Sequence, residues 1–92
     1  MLKVVTTSRF EREIKRMVVK GKREPGKIRA VMGSIARQTP LEPKHRDHKH
    51  SGNFTGCREC HVELDWLLVY EVGLKKETVT FMRTGTHSDI FR

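Results

Sequence analysis

Three histidines stand in separate stretches of this 92-residue chain, each among polar or charged neighbours. They lie in Asp47-His48, in His61-Val62-Glu63-Leu64-Asp65-Trp66, and in Arg83-Thr84-Gly85-Thr86-His87. An imidazole titrates near neutrality, so it can give or take a proton at physiological pH. RNA carries its own nucleophile, the 2′-hydroxyl. Its cleavage therefore needs a base for that proton, a cation for the crowded phosphorane and an acid for the leaving 5′-oxygen. Imidazoles together with the carboxylate of Asp65 and the fixed charge of Arg83 supply these parts, and no metal or other cofactor is expected.

A second motif points elsewhere. Cys57-Arg58-Glu59-Cys60-His61 has the C-x-x-C-H spacing of covalent haem attachment. The surrounding alternation reads as a strand, with Cys60, Val62 and Leu64 on one face and Glu59, His61 and Glu63 on the other. Side chains three apart on a strand point to opposite faces, so Cys57 and Cys60 cannot clasp one haem or one zinc ion without a local break. Cys60 fits a small core residue, and Cys57 has no assigned role.

The charge is segregated. The net charge is +8, with 14 Lys and Arg against 5 acids in residues 1–50, and 5 against 6 in residues 51–92. A basic half of this kind favours a polyanionic partner, a nucleic acid or an acidic protein, without indicating any chemistry. No apolar run reaches the roughly 18 residues of a membrane span, and Met1-Leu2-Lys3-Val4-Val5-Thr6 is too short and polar for a secretory signal. A cytoplasmic protein with reduced cysteines and no membrane association is expected.

The length suits one domain covering residues 1–92. Leu2 to Thr6 reads as a strand, and Ser8-Arg9-Phe10-Glu11 as a capping box. Phe10, Ile14, Met17 and Val18 then mark the apolar stripe of a helix that stops at Lys20-Gly21-Lys22. Pro25 opens a second helix, whose stripe of Ile28, Val31, Met32, Ile35 and Ala36 runs to about Gln38. Pro40 and Pro43 break it before the cationic stretch 44–52. There Arg46 and Lys49 suit RNA phosphates, while His45 and His50 read mainly as solvated. Strands over 57–63, 66–72 and 77–84 close the chain. The expected fold is α+β: an N-terminal strand, an αα-hairpin and a mainly antiparallel three-strand meander, with helices on one sheet face and the other face free for a ligand.

A turn at Leu64-Asp65 would pair Glu63 with Trp66 and His61 with Leu68, setting His61 and Trp66 on one face with Asp65 at the corner. In the last strand Val79, Phe81 and Arg83 share parity, which puts a cation beside two core residues unless a bulge intervenes. Gly85 allows a change of direction that presents Thr86 and His87 beyond the sheet.

Taken together, Asp47-His48, the run His61-Val62-Glu63-x-Asp65-Trp66-Leu67-Leu68-Val69-Tyr70 and the run Arg83-Thr84-Gly85-Thr86-His87-Ser88-Asp89-x-Phe91 resemble the YafQ-type branch of the RelE/ParE superfamily of bacterial toxins. The likeness spans nearly the whole chain. It departs from the family pattern at His50 and Leu64, where leucine and proline are more usual. The resemblance implies a RelE-like fold and an mRNA interferase that cuts message on the ribosome. It also implies a cognate antitoxin partner, with operator DNA bound only through the antitoxin complex. Functional positions carry over to His48, His61, Asp65, Trp66, His87 and Phe91, with Arg83 as a phosphate contact.

On this reading His87 is the general acid, His61 or Asp65 the general base, and Arg83 the charge stabiliser. His48 is a phosphate or proton-transfer partner, and Trp66 and Phe91 stack on exposed bases. Composition alone suits Trp66 to the core as well as to a base platform, and Phe91 to packing of the tail. The main competitor is a non-catalytic basic module that binds RNA or protein. The gyrase-poisoning relatives of the superfamily share the fold but have no need of this histidine set.

Overall fold

The computed structural model describes residues 1–49, 56–73, 75 and 77–91. In chain order they form β1 (Lys3–Thr6), α1 (Ser8–Val19), α2 (Pro25–Ala36), a 3₁₀ turn (Pro43–His45), β2 (His48–Lys49), β3 (Arg58–Glu63), β4 (Trp66–Val72), β5 (Thr78–Gly85) and α3 (His87–Phe91). The α+β class is as expected. The sheet has five strands in the order β1-β5-β4-β3-β2. β1 runs parallel to β5, and the other pairings are antiparallel. No helix among the described residues is long and apolar enough to cross a membrane.

The α1 cap lies one residue earlier than the Ser8 box. Thr7 Oγ1 accepts from the Phe10 amide at 2.9 Å and donates to the Met82 carbonyl at 2.8 Å, so it both starts the helix and ties it to β5. α2 begins at Pro25 as its φ allows and ends at Ala36, two residues short of expectation, with Gln38 in the left-handed region just beyond. The stripes of both helices meet one sheet face. Phe10, Met17, Ile28 and Val31 pack with Trp66, Leu68, Tyr70 and Phe81 in the main core. Each fully buried aromatic or branched side chain there stabilises the fold by roughly 1.5–3 kcal/mol.

The opposite face is not open throughout. The last residues, read from sequence as a short tail, form α3, and Ile90 packs on Leu67, Val69 and Cys57 in a second, smaller cluster. Cys57 and Cys60 thus belong to different clusters, as strand geometry requires of residues three apart. Cys60 lies in the main core, and burial pushes its thiol up to about 12. The cationic stretch contributes an edge strand: His48 and Lys49 pair with Glu59 and Arg58 of β3. Asp47 fastens that edge, accepting from Tyr70 Oη at 2.6 Å and from Arg58 Nε at 3.2 Å.

Two bulges decide which side chains reach which face. Glu63 pairs with Trp66 as expected, but the register slips at Val62, so His61 pairs with Leu67 instead of Leu68. Leu67 belongs to the second cluster and Trp66 to the main core, so His61 and Trp66 lie on opposite faces and the expected shared face is not formed. In β5, Val69 pairs with Arg83 and Tyr70 with Phe81, leaving Met82 as the extra residue. The bulge breaks the parity that would have set Arg83 beside Val79 and Phe81.

Candidate active site

His87 is held by the start of α3. Thr86 Oγ1 accepts from the Asp89 amide at 3.1 Å, and Asp89 Oδ2 accepts from the Thr86 amide at 3.0 Å, a reciprocal cap that makes His87 the first helical residue. Gly85 is needed here for close approach. A Cβ at that position would lie 2.9 Å from Asp89 Cβ and 3.0 Å from Asp89 Oδ2.

Asp65 fixes the ring of His87. It occupies the second position of the two-residue β3–β4 turn with φ 54°, a conformation that aspartate tolerates better than most residues. Its Oδ1 accepts from the His87 amide at 2.9 Å and lies 2.7 Å from His87 Nδ1. Those two bonds, backbone first, hold the Asp65 carboxyl below its usual pKa. With Nδ1 engaged, His87 presents Nε2.

His61 meets that atom from β3. The two Nε2 atoms are 3.4 Å apart and the ring centroids 5.3 Å apart. His61 Nδ1 is buried without a hydrogen-bond partner among the described residues. Burial therefore disfavours the imidazolium and lowers the His61 pKa below the ordinary 6.5, and the charges of His87 and Arg46 act the same way. The pair combines a ring that resists protonation with one oriented by a carboxylate.

The remaining sequence-derived candidates divide. Phe91 is half exposed, with its ring 6.3 Å from that of His87 and tilted by only 27°. His48 is exposed, its Nε2 3.4 Å from the buried Glu59 carboxylate, and its charge is felt at His61. Arg46, in the left-handed region at φ 48°, borders the same cleft as the histidine pair. Lys49 is exposed on β2 at the sheet edge.

Two expectations are corrected. Trp66 is fully buried, with Nε1 donating to Thr84 Oγ1 at 2.9 Å, so it is a core residue and no base can stack on it. Arg83 is 7% exposed, bound to Glu13 of α1 at 2.6 Å through Nη2, and donates to the Asp89 carbonyl at 3.2 Å. Its charge compensates a carboxylate beside α1, away from the cleft that His61 and His87 border.

Sequence reasoning also missed one histidine. His45, read as solvated, is half buried, with Nδ1 2.6 Å from the His61 carbonyl, and so braces the strand that carries His61. A histidine-rich tract gives no signal of which member will turn inward. His50 lies outside the described residues.

The histidine pair opens into a cleft of about 770 Å³ between α2 and segment 39–46. Ala30, Val31 and Ser34 of α2 line it together with Thr39, whose amide bonds the Ser34 carbonyl at 2.9 Å, and Leu41. Among the described residues no group of three His, Cys, Asp or Glu is placed to hold a metal ion. Among the described residues His61 and His87 bring their Nε2 atoms together, with Asp65 on the far nitrogen of His87.

Known proteins share this arrangement of chain. The model of a family described as bacterial toxin of type II toxin-antitoxin system, YafQ, matches residues 2–92. The mRNA interferase toxin YafQ of Escherichia coli K12 is 31% identical over 86 residues, covering 92% of this chain and 90% of that protein. A metal-bound toxin from Helicobacter pylori, known from its crystal structure, superposes with a TM-score of 0.89 at 35% identity, covering 99% of this chain and all of that one. The E. coli DinJ-YafQ toxin-antitoxin complex contains a chain that superposes with a TM-score of 0.87 at 28% identity, covering 99% and 98% of the two chains.

Proposed function

The chain belongs to the YafQ family of bacterial toxins of type II toxin–antitoxin systems, and from that premise we propose that it is an endoribonuclease that cuts messenger RNA by metal-independent acid–base catalysis on the ribosome. The observation that carries this reading is the approach of His61 Nε2 to His87 Nε2 at 3.4 Å, with Asp65 behind His87. The E. coli relative is named an mRNA interferase.

In the proposed reaction His61, kept neutral by burial, takes the proton of the RNA 2′-hydroxyl at Nε2. The 2′-oxygen attacks the adjacent phosphorus, and the bond to the 5′-oxygen of the next nucleotide breaks. His87, as imidazolium, protonates that oxygen. Asp65 orients His87 and balances its charge, so its part is positioning, and His61 takes the base role that the sequence left open between the two. Arg46, with His48 beside it, replaces Arg83 as the stabiliser of the phosphorane charge. Phe91 stacks on an exposed base, and Lys49 contacts the phosphate backbone. The products are a 2′,3′-cyclic phosphate and a free 5′-hydroxyl.

The toxin is restrained by a cognate antitoxin, as the E. coli complex suggests. An acidic segment that folds on binding would cover the basic surface, and operator DNA would be bound only through that complex. The test is a message with a single 2′-deoxy nucleotide at a mapped cut site. Internal attack predicts that this site is spared while others are cut. Cutting at the 2′-deoxy position contradicts it.

A further inference from the structure

We propose that the cleft between α2 and segment 39–46 is a nucleotide subsite, which holds the base of a residue next to the scissile phosphate and sets where the RNA is cut. This inference rests on the ribonuclease reading and adds a location for specificity.

Four observations lead to it. The cleft is continuous with the chemistry, because His61 and His87 form part of its wall. A phosphodiester at the two Nε2 atoms must continue into a neighbouring nucleotide, and this concavity opens directly from that point. Its volume of about 770 Å³ lies within the roughly 300–1,000 Å³ usual for small-ligand sites.

The walls suit a planar, hydrogen-bonding occupant. Ala30, Pro40 and Leu41 offer apolar surface to the faces of a base, backed by the buried Val31 and Val62. The hydroxyls of Ser34 and Thr39 can each donate or accept at its edge without adding charge. A site that hydrogen-bonds its ligand discriminates far better than an apolar slot, because a wrong ligand leaves the polar groups unpaired.

The charge suits a polyanion. Arg46 stands at the border. The two acids that also line the cleft are compensated: Glu63 by Lys27 at 2.8 Å and Arg23 at 2.9 Å, and Glu42 by Lys44 at 3.6 Å. Neither carboxylate faces an incoming phosphate unpaired. An acidic peptide would satisfy the border cation but has no planar face for the apolar surface and no edge for the neighbouring hydroxyls of Ser34 and Thr39, so a nucleotide is the better fit.

The test uses the full chain and nucleoside 3′-monophosphates of the four bases, with inorganic phosphate as the control, followed by backbone amide shifts. Binding of at least one nucleotide should shift Val31, Ser34 and Leu41 together with His61 and His87, and more tightly than phosphate alone. Ala30 is exposed on α2, so Ala30→Leu should fold normally while narrowing the cleft. It should weaken that nucleotide by at least about tenfold, the scale of one pocket contact, and leave phosphate binding unchanged. Ser34→Ala should alter the ranking of the four bases.

Nucleotide and phosphate binding with equal affinity, or shifts confined to other surfaces, would overturn the subsite. Mapping cuts on a translated message separates the two ideas. If Ala30→Leu and Ser34→Ala cut the wild-type sites with wild-type KM while His87→Gln is inactive, the subsite is wrong and the ribonuclease reading stands. A wild type that cuts nothing removes that reading, and the subsite with it.

Discussion

Arg83 and His87 sit four residues apart in one motif, and each meets a carboxylate, but the two pairs do different work. Arg83 is held against Glu13 of α1, its side chain 8% exposed and that of Glu13 18% exposed. His87 is paired with Asp65 at the cleft, and both side chains are half exposed. Between them Thr84 is committed to the core through Trp66, and Thr86 to the cap of α3. One continuous motif is divided by a bulge and a helix start into a part that holds the fold and a part that borders the cleft. Adjacency in sequence therefore does not establish a shared role.

The contrast can be broken from either side. His87→Gln removes the acid, so single-turnover cleavage should fall by about 10²- to 10⁴-fold, with binding and thermal stability unchanged. Equal cleavage would remove His87 from the mechanism. Asp65→Asn should cost less than this, because it loses orientation but leaves the proton donor in place.

On the structural side, Glu13→Gln removes the carboxylate bound closest to a buried guanidinium and should destabilise the protein by about 3 kcal/mol in urea unfolding, with cleavage per folded molecule preserved. A variant of full stability but lost activity would move Arg83 back into the catalytic group. Trp66→Phe deletes a buried ring and its bond to Thr84, at a cost of about 1–3 kcal/mol, and should also spare cleavage. Activity lost without stability would restore Trp66 as a base platform.

The smallest effects concern pH. The His61 pKa is lowered by burial and by Arg46, so the acidic limb of the rate profile should fall below the ordinary histidine value. Arg46→Gln removes a repelling charge and should raise the His61 pKa, seen by titrating its ring protons. The linked effect on stability has one sign. Because the folded state binds this proton less readily than the unfolded chain, the His61 contribution is complete above about 6.5 and declines as pH falls through that value.

The first two helices and four of the strands were legible because their periods are unambiguous: Phe10, Ile14 and Met17 at helical spacing, Cys60 and Val62 alternating in β3. His61, Asp65 and His87 were legible as chemistry because their residue types are scarce and suited to proton transfer. What failed was face assignment. A bulge at Val62 and another at Met82 shift the register, and neither site carries a glycine or other local signal. Trp66 was consequently set with His61, whereas the phosphate role of Arg83 came from the family resemblance and not from its register. The cleft wall was invisible for a different reason, since Ala30, Ser34 and Thr39 come to line one cleft only when α2 docks beside segment 39–46.

The central claim is that two imidazoles drive attack by the RNA's own 2′-oxygen, and the chemistry of the cut ends tests it most directly. Fragments from a translated message treated with the wild-type protein should carry a 2′,3′-cyclic phosphate on the upstream piece and a 5′-hydroxyl on the downstream piece. An upstream 3′-hydroxyl with a downstream 5′-phosphate would show that water is the nucleophile and would contradict the account.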